Sequence, residues 1–117
     1  MSERQDDCIF CKIAAGDFGT EFVVETENVV AFDDITPQAP THVQVIPKRH
    51  VSSIRGLGRD DETLLGEMIA VANDVAAMKG IDESGFRLVT NAGKDSGQEV
   101  FHLHIHVLGG KKLGPIA

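Results

Sequence analysis

One heptapeptide near the C-terminus constrains the chain more than anything else in it. It reads His102-Leu103-His104-Ile105-His106-Val107-Leu108. Polar and apolar residues alternate with a period of two, which is the period of a β-strand whose successive side chains point to opposite faces. A strand placed there puts three imidazoles on one face and Leu103, Ile105 and Val107 on the other. One face must enter a core, and a slip of one residue would bury all three rings in it, so the register is fixed. The partners of this strand follow from the rest of the chain.

Glu21–Thr26 and Val29–Asp33 read as a hairpin around Glu27-Asn28, and His42–Pro47 as a third strand. Thr36-Pro37-Gln38-Ala39-Pro40 is a rigid connection, because each proline fixes φ and lacks an amide donor. Phe86–Thr90 and Val100–Leu108 complete about five strands, joined by a loop rich in turn formers, Asn91–Gln98. Two helices are expected. A short one covers Cys8–Ala15, capped by Asp6 or Asp7 and stopped by Gly16. A long one covers Asp60–Lys79, capped by Asp60 or Asp61, with Leu64, Leu65, Met68, Ile69, Ala72, Val75 and Ala76 as its apolar face. The expected class is therefore α+β: an antiparallel sheet of about five strands with the helices packed on one face. At 117 residues the chain has the length of one domain, 1–117. Residues 1–7 are expected to be disordered and 111–117 to form an irregular tail.

A formal net charge of −7 argues against binding a nucleic acid polymer, which needs clustered Lys and Arg. No apolar run is long enough to span a bilayer, and the start is polar and acidic, so no membrane is expected and a cytoplasmic location is. The two cysteines, Cys8 and Cys11, are too close in sequence for a disulfide between them to stabilise the fold much. Metal binding or redox chemistry suits them better.

Of the five histidines, three sit where exposed strand positions would ordinarily carry Lys, Glu or Thr. They mark a site. A three-His zinc centre is one reading, although adjacent same-face positions of a straight strand converge poorly on a tetrahedral ion. Nucleophilic and acid–base chemistry on an anion is the other. Clustered imidazoles disfavour one another's protonation, and a neutral ring is what a nucleophile needs. His42 has no partner that the sequence identifies and reads as structural.

This strand resembles the motif of the histidine triad (HIT) family, His-apolar-His-apolar-His followed by two apolar residues. The resemblance extends to Ala31-Phe32-Asp33-Asp34-Ile35-Thr36-Pro37-Gln38-Ala39-Pro40-Thr41-His42, to Val45-Ile46-Pro47-Lys48-Arg49-His50, and to Asn91, Gly97-Gln98 and Gly109-Gly110. It is closest to the nucleotide-binding (Hint-like) branch. It implies a HIT-like fold, a homodimer and hydrolysis of purine nucleoside phosphoramidates. His104 would be the nucleophile, forming a nucleotidyl-histidine; His106 would contact the phosphate and help protonate the leaving group. Asn91 and backbone amides around Gly97, Gln98 and Val100 would hold the phosphate. Asp34 would accept from the ribose hydroxyls, and Ile9, Phe10, Phe32 and Ile35 would line the base pocket. By the same resemblance Cys8, Cys11, His50 and His102 would form a closed structural Zn2+ site, with no organic cofactor. Two departures stand out. Glu99 occupies a place where relatives have a Ser, and the tail lacks a Trp that some relatives extend across the dimer. Dinucleoside polyphosphate hydrolysis, a zinc-stabilised binding module without turnover, and a redox dithiol are the competing readings.

Overall fold

The computed structural model describes residues 7–116. Its centre is one five-stranded antiparallel sheet: β1 (Val24–Glu25), β2 (Val29–Asp33), β3 (Thr41–Pro47), β4 (Phe86–Val89) and β5 (Ile105–Gly109), in the order β1-β2-β3-β5-β4. The helices are α1 (Ile9–Ala14) and α2 (Glu62–Met78). The α+β class and strand count expected from the sequence hold.

The sheet is covered on both faces, and this is the first correction. Val29, Ala31, Val43, Val45, Leu103, Ile105 and Val107 face α2, which buries Met68, Val71, Ala72, Val75 and Ala76 against them. These helix positions recur at three and four residues, as a helix lying on a sheet requires. Val71 joins the expected face, while Ile69 is 40% exposed. The opposite face carries Val30, Phe32 and Ile46, and here α1 seats Phe10 among them. The short helix therefore lies on the other side of the sheet from the long one.

Helix starts also differ from expectation. Cys8 caps α1, its Sγ accepting the Cys11 N–H at 3.3 Å; Asp6 lies outside the described residues. A 3-10 turn, Arg59–Asp61, precedes α2. Asp61 makes no cap bond to α2; its carboxylate takes the Gly58 N–H and the Arg49 guanidinium instead. Those two partners, the amide first, hold its pKa below the usual carboxylate value.

The expected last strand, Val100–Leu108, is shorter. The ladder between β3 and β5 ends at Val45 opposite Ile105. Beyond it, Pro47 has no N–H to give, and its carbonyl is taken by the His102 ring at 2.8 Å. Leu103 N–H turns instead to Val51 O at 2.6 Å. His102 and His104 thus precede the strand and are held by individual bonds, not by a ladder. The strand gains one residue at its other end, Gly109. A Cβ on Gly109 would lie 2.7 Å from the tip of the Ile81 side chain and 3.3 Å from Gly85 O, so any larger residue would require Ile81 to shift. The first strand is likewise reduced to two residues, although Val23 N–H still reaches Ala31 O at 2.7 Å.

Candidate active site

The site lies on the α1 face of the sheet, where buried rings meet. His102 and His104 are 0% and 6% exposed, and His106 is half-buried. The His104 and His106 rings stand 4.9 Å apart, and Phe10 meets His104 edge-on at 5.2 Å. Phe10 also packs edge-on against Phe32 at 5.7 Å. The three histidines are thus gathered as the alternation predicts, with the α1 aromatic laid over them.

Each ring has one nitrogen committed, and that fixes which nitrogen carries the proton. His104 Nδ1 lies 2.6 Å from His102 O, which can only accept; the proton sits on Nδ1 and Nε2 keeps a bare lone pair. Thr90 Oγ1 donates to His104 O at 2.8 Å and holds this residue's backbone. His102 Nε2–H donates to Pro47 O, so its Nδ1 lone pair turns toward the cysteines. His42 Nδ1 accepts the Gln38 N–H at 3.0 Å, so its proton is on Nε2 and is given to His106 Nδ1 at 2.8 Å. His106 is left with its proton on Nε2.

His42 therefore has a partner that the sequence did not identify. The pairing of β3 with β5 sets His42 opposite Leu108, one register step past Val43–Val107, and local patterning carries no such information. Asp34 lies 3.5 Å from His42 Nε2, and Asp34, His42 and His106 form a close group. A 2.8 Å N–N contact is the length of a hydrogen bond. Two imidazole nitrogens on one tetrahedral ion stand about 3.3 Å apart, so this group is a proton-bearing chain.

The pKa values of the triad fall, as clustering predicts, but burial is the larger cause. Burial, then the His50 and His104 rings, bring His102 down to about 4. Burial, then His104 and His42, bring His106 down to about 4. Burial lowers His104 as well, partly offset by its bond to His102 O. All three rings are neutral near pH 7.

Cys8, Cys11, His50 and His102 come together as the second cluster, their donor atoms all within 4.8 Å of one another. Cys8 Sγ stands 3.3 Å from His102 Nδ1, and Cys11 Sγ stands 3.4 Å from both His50 Nδ1 and His102 Nδ1. Zinc–sulfur and zinc–nitrogen bonds at a tetrahedral angle would set such pairs about 3.6 Å apart. The donor set and spacing fit an ion, and the His102 bond to Pro47 is the outer contact that orients a ligating imidazole. These four residues could hold a metal.

The loop after β4 departs from its expected role in part. Gly97 N–H bonds Lys94 O, and Gln98 N–H bonds Gly93 O. The Gln98 side chain, 7% exposed, accepts from Gly93 N and donates to Ser52 O and Val100 O. Gly97 and Gln98 shape the loop. Among the described residues, the amides of Glu99 and Val100 meet no protein acceptor, and Asn91 is half-buried at the loop's start. Glu99 is exposed, so its carboxylate stays in water. Phe10 and Phe32 are buried, whereas Ile9 and Ile35 are 50% and 98% exposed and are not core residues.

Comparison with known proteins agrees with this geometry. A family model described as "Scavenger mRNA decapping enzyme C-term binding" matches residues 7–116. The chain is 41% identical over 111 residues to the purine nucleoside phosphoramidase of Escherichia coli (strain K12), covering 95% of this chain and 93% of that one. A histidine triad protein from Clostridium difficile superposes with a TM-score of 0.93 at 43% identity, covering 97% and 99% of the two chains. A HIT family hydrolase from Legionella pneumophila does so at 0.89 and 44%, covering 92% and 96%. The chain belongs to the histidine triad family. Within that family it is an enzyme, a hydrolase.

Proposed function

We propose that this hydrolase cleaves purine nucleoside phosphoramidates, releasing an amine and a nucleoside monophosphate through a nucleotidyl-histidine on His104. The observation that carries the reading is the bond from His104 Nδ1–H to His102 O. It presents a neutral, unprotonated Nε2 as the nucleophile without need of an external base. Nε2 attacks the α-phosphorus, the P–N bond to the amine breaks, and the amine leaves with a proton. Water then cleaves the P–Nε2 bond and restores His104. His106, with its proton on Nε2, donates to the phosphate and toward the leaving group. Phosphate charge beside it raises its proton affinity from the low value that burial imposes.

The other roles follow the surroundings. Asn91 and the amides of Glu99 and Val100 hold the phosphate oxygens, with Gly97 and Gln98 shaping their loop. Asp34 accepts from the ribose. Phe10 and Phe32 form the floor of the base pocket, and Ile9 and Ile35, apolar yet exposed, close over the base. His102 contributes its carbonyl to His104. Zn2+ is the proposed ion at Cys8, Cys11, His50 and His102. Four protein ligands leave no position for water, so its part is to clip α1 to the sheet. The edge strand β4 leaves a free side for a second copy, which supports a homodimer. No described helix is long and apolar enough to cross a membrane, and a paired thiolate site suits the reducing cytoplasm.

An adenosine phosphoramidate carrying a fluorescent amine tests the reading. Wild type releases the amine, and His104→Ala binds adenosine monophosphate but releases none. Equal release by both would overturn the role of His104. Nucleotide binding without release by wild type would leave polyphosphate cleavage or a pure binding module.

A further inference from the structure

Gln44 is a residue that the scheme above leaves unused. It lies mid-strand in β3 between Val43 and Val45, both turned toward α2, so its own side chain faces the histidines. Across the sheet it is paired with Phe32 on β2 and with His106 on β5. It is 9% exposed. An apolar residue would fill this position at no cost, whereas a buried amide needs partners.

Half of the amide has one. Gln44 Nε2 donates to Asp34 Oδ2 at 2.7 Å, while Asp34 Oδ1 accepts the Thr36 N–H at 2.7 Å. A carboxylate only accepts, so this contact fixes which end of the amide is nitrogen. The other end is an oxygen, and Gln44 Oε1 is buried without a partner. His106, its cross-strand neighbour, does not supply one. A carboxylate and an unpartnered amide oxygen thus lie side by side next to the histidines. Two adjacent acceptors call for a ligand with two adjacent donors. Phosphate, an acceptor at neutral pH, is excluded; a vicinal diol fits.

We propose that Gln44 reads the ribose directly: Oε1 accepts from one of the two hydroxyls while Asp34 accepts from the other. The proposal rests on the reading of Asp34 as the ribose acceptor. It makes Gln44 both the residue that orients Asp34 and a second determinant of ribonucleotide specificity.

Calorimetric titration of the purified protein with adenosine monophosphate and with its 2′-deoxy and 3′-deoxy analogues tests it, in wild type and Gln44→Leu. Wild type should bind the ribonucleotide more tightly than either analogue. In Gln44→Leu the preference over one analogue should collapse by about tenfold, the worth of one such bond, while the preference over the other persists through Asp34. Unchanged preferences, or an equal fall in both, would overturn direct contact; the equal fall would mean that Gln44 acts through Asp34 alone. Failure of wild type to bind the ribonucleotide would instead refute the nucleotide reading. Gln44→Met carries the same test should the leucine variant not fold.

Discussion

Substituting His42→Asn isolates the bond that sets the His106 tautomer. The Asn carboxamide ends near the place of His42 Nδ1, so it keeps an acceptor for the Gln38 N–H, 3.0 Å away in the native chain. It does not reach His106, and the 2.8 Å contact with Nδ1 is lost. An unsatisfied buried acceptor costs about 1–3 kcal/mol. His106 is half-buried, so water replaces part of the bond and the stability loss falls at the low end, about 1 kcal/mol. For catalysis, the lost bond no longer favours the form with the proton on Nε2, and its net worth of about 0.5–1.5 kcal/mol sets the expected effect. That is a fall in kcat/KM of about two- to twelvefold, far smaller than the loss expected for His104→Ala. Single-turnover release of a fluorescent amine, beside urea unfolding, measures both. An unchanged rate with unchanged stability would refute the tautomer argument. A loss as deep as that of His104→Ala would refute a positioning role and make His42 a direct participant.

Two further outcomes follow from the same rings. His106 sits at about 4 in the folded chain against 6.5 when free. Between these values the unfolded chain takes up a proton that the folded ring refuses, so stability is complete above about 6.5 and declines as the pH falls toward 4. Thermal melts across this range should show a falling Tm, and a flat profile would count against a buried neutral ring. At the metal cluster, wild type should carry zinc through gel filtration with both thiols masked to titration. A chelator should expose Cys8 and Cys11 and lower the Tm, and Cys11→Ser should lose the metal outright; thiols that titrate equally with and without chelator would refute the site.

Alternation made much of this molecule legible. The period of two in residues 102–108 places the three rings together even though only Ile105–Gly109 is strand, because extended backbone alternates whether or not its amides pair. The pairing of Cys8 and Cys11 with two distant histidines was readable only through family resemblance, since ligands from three segments leave no local signature. Hidden instead were features made by tertiary pairing. His42 lies 64 residues from His106 in the chain, and Gln44 reads as an ordinary polar interruption between valines. The face chosen by α1 was hidden too: six residues with Phe10 and Cys11 buried fit either side of a sheet. The roles of Gly97 and Gln98 within their loop depend on a side chain reaching Ser52, which composition cannot show.

The brevity of α1 has a consequence for linkage. A helix of six residues is far below the length that holds together alone in water. Its structure is borrowed from what grips it: the aromatic contacts of Phe10 on one side and the two thiols that bracket Ile9 and Phe10 on the other. An ion gripped by the thiols and a base seated on Phe10 would draw on one docking equilibrium. By reciprocity, each would then tighten the other by the same factor, and the purine pocket would report on the metal and thiol status of its surroundings.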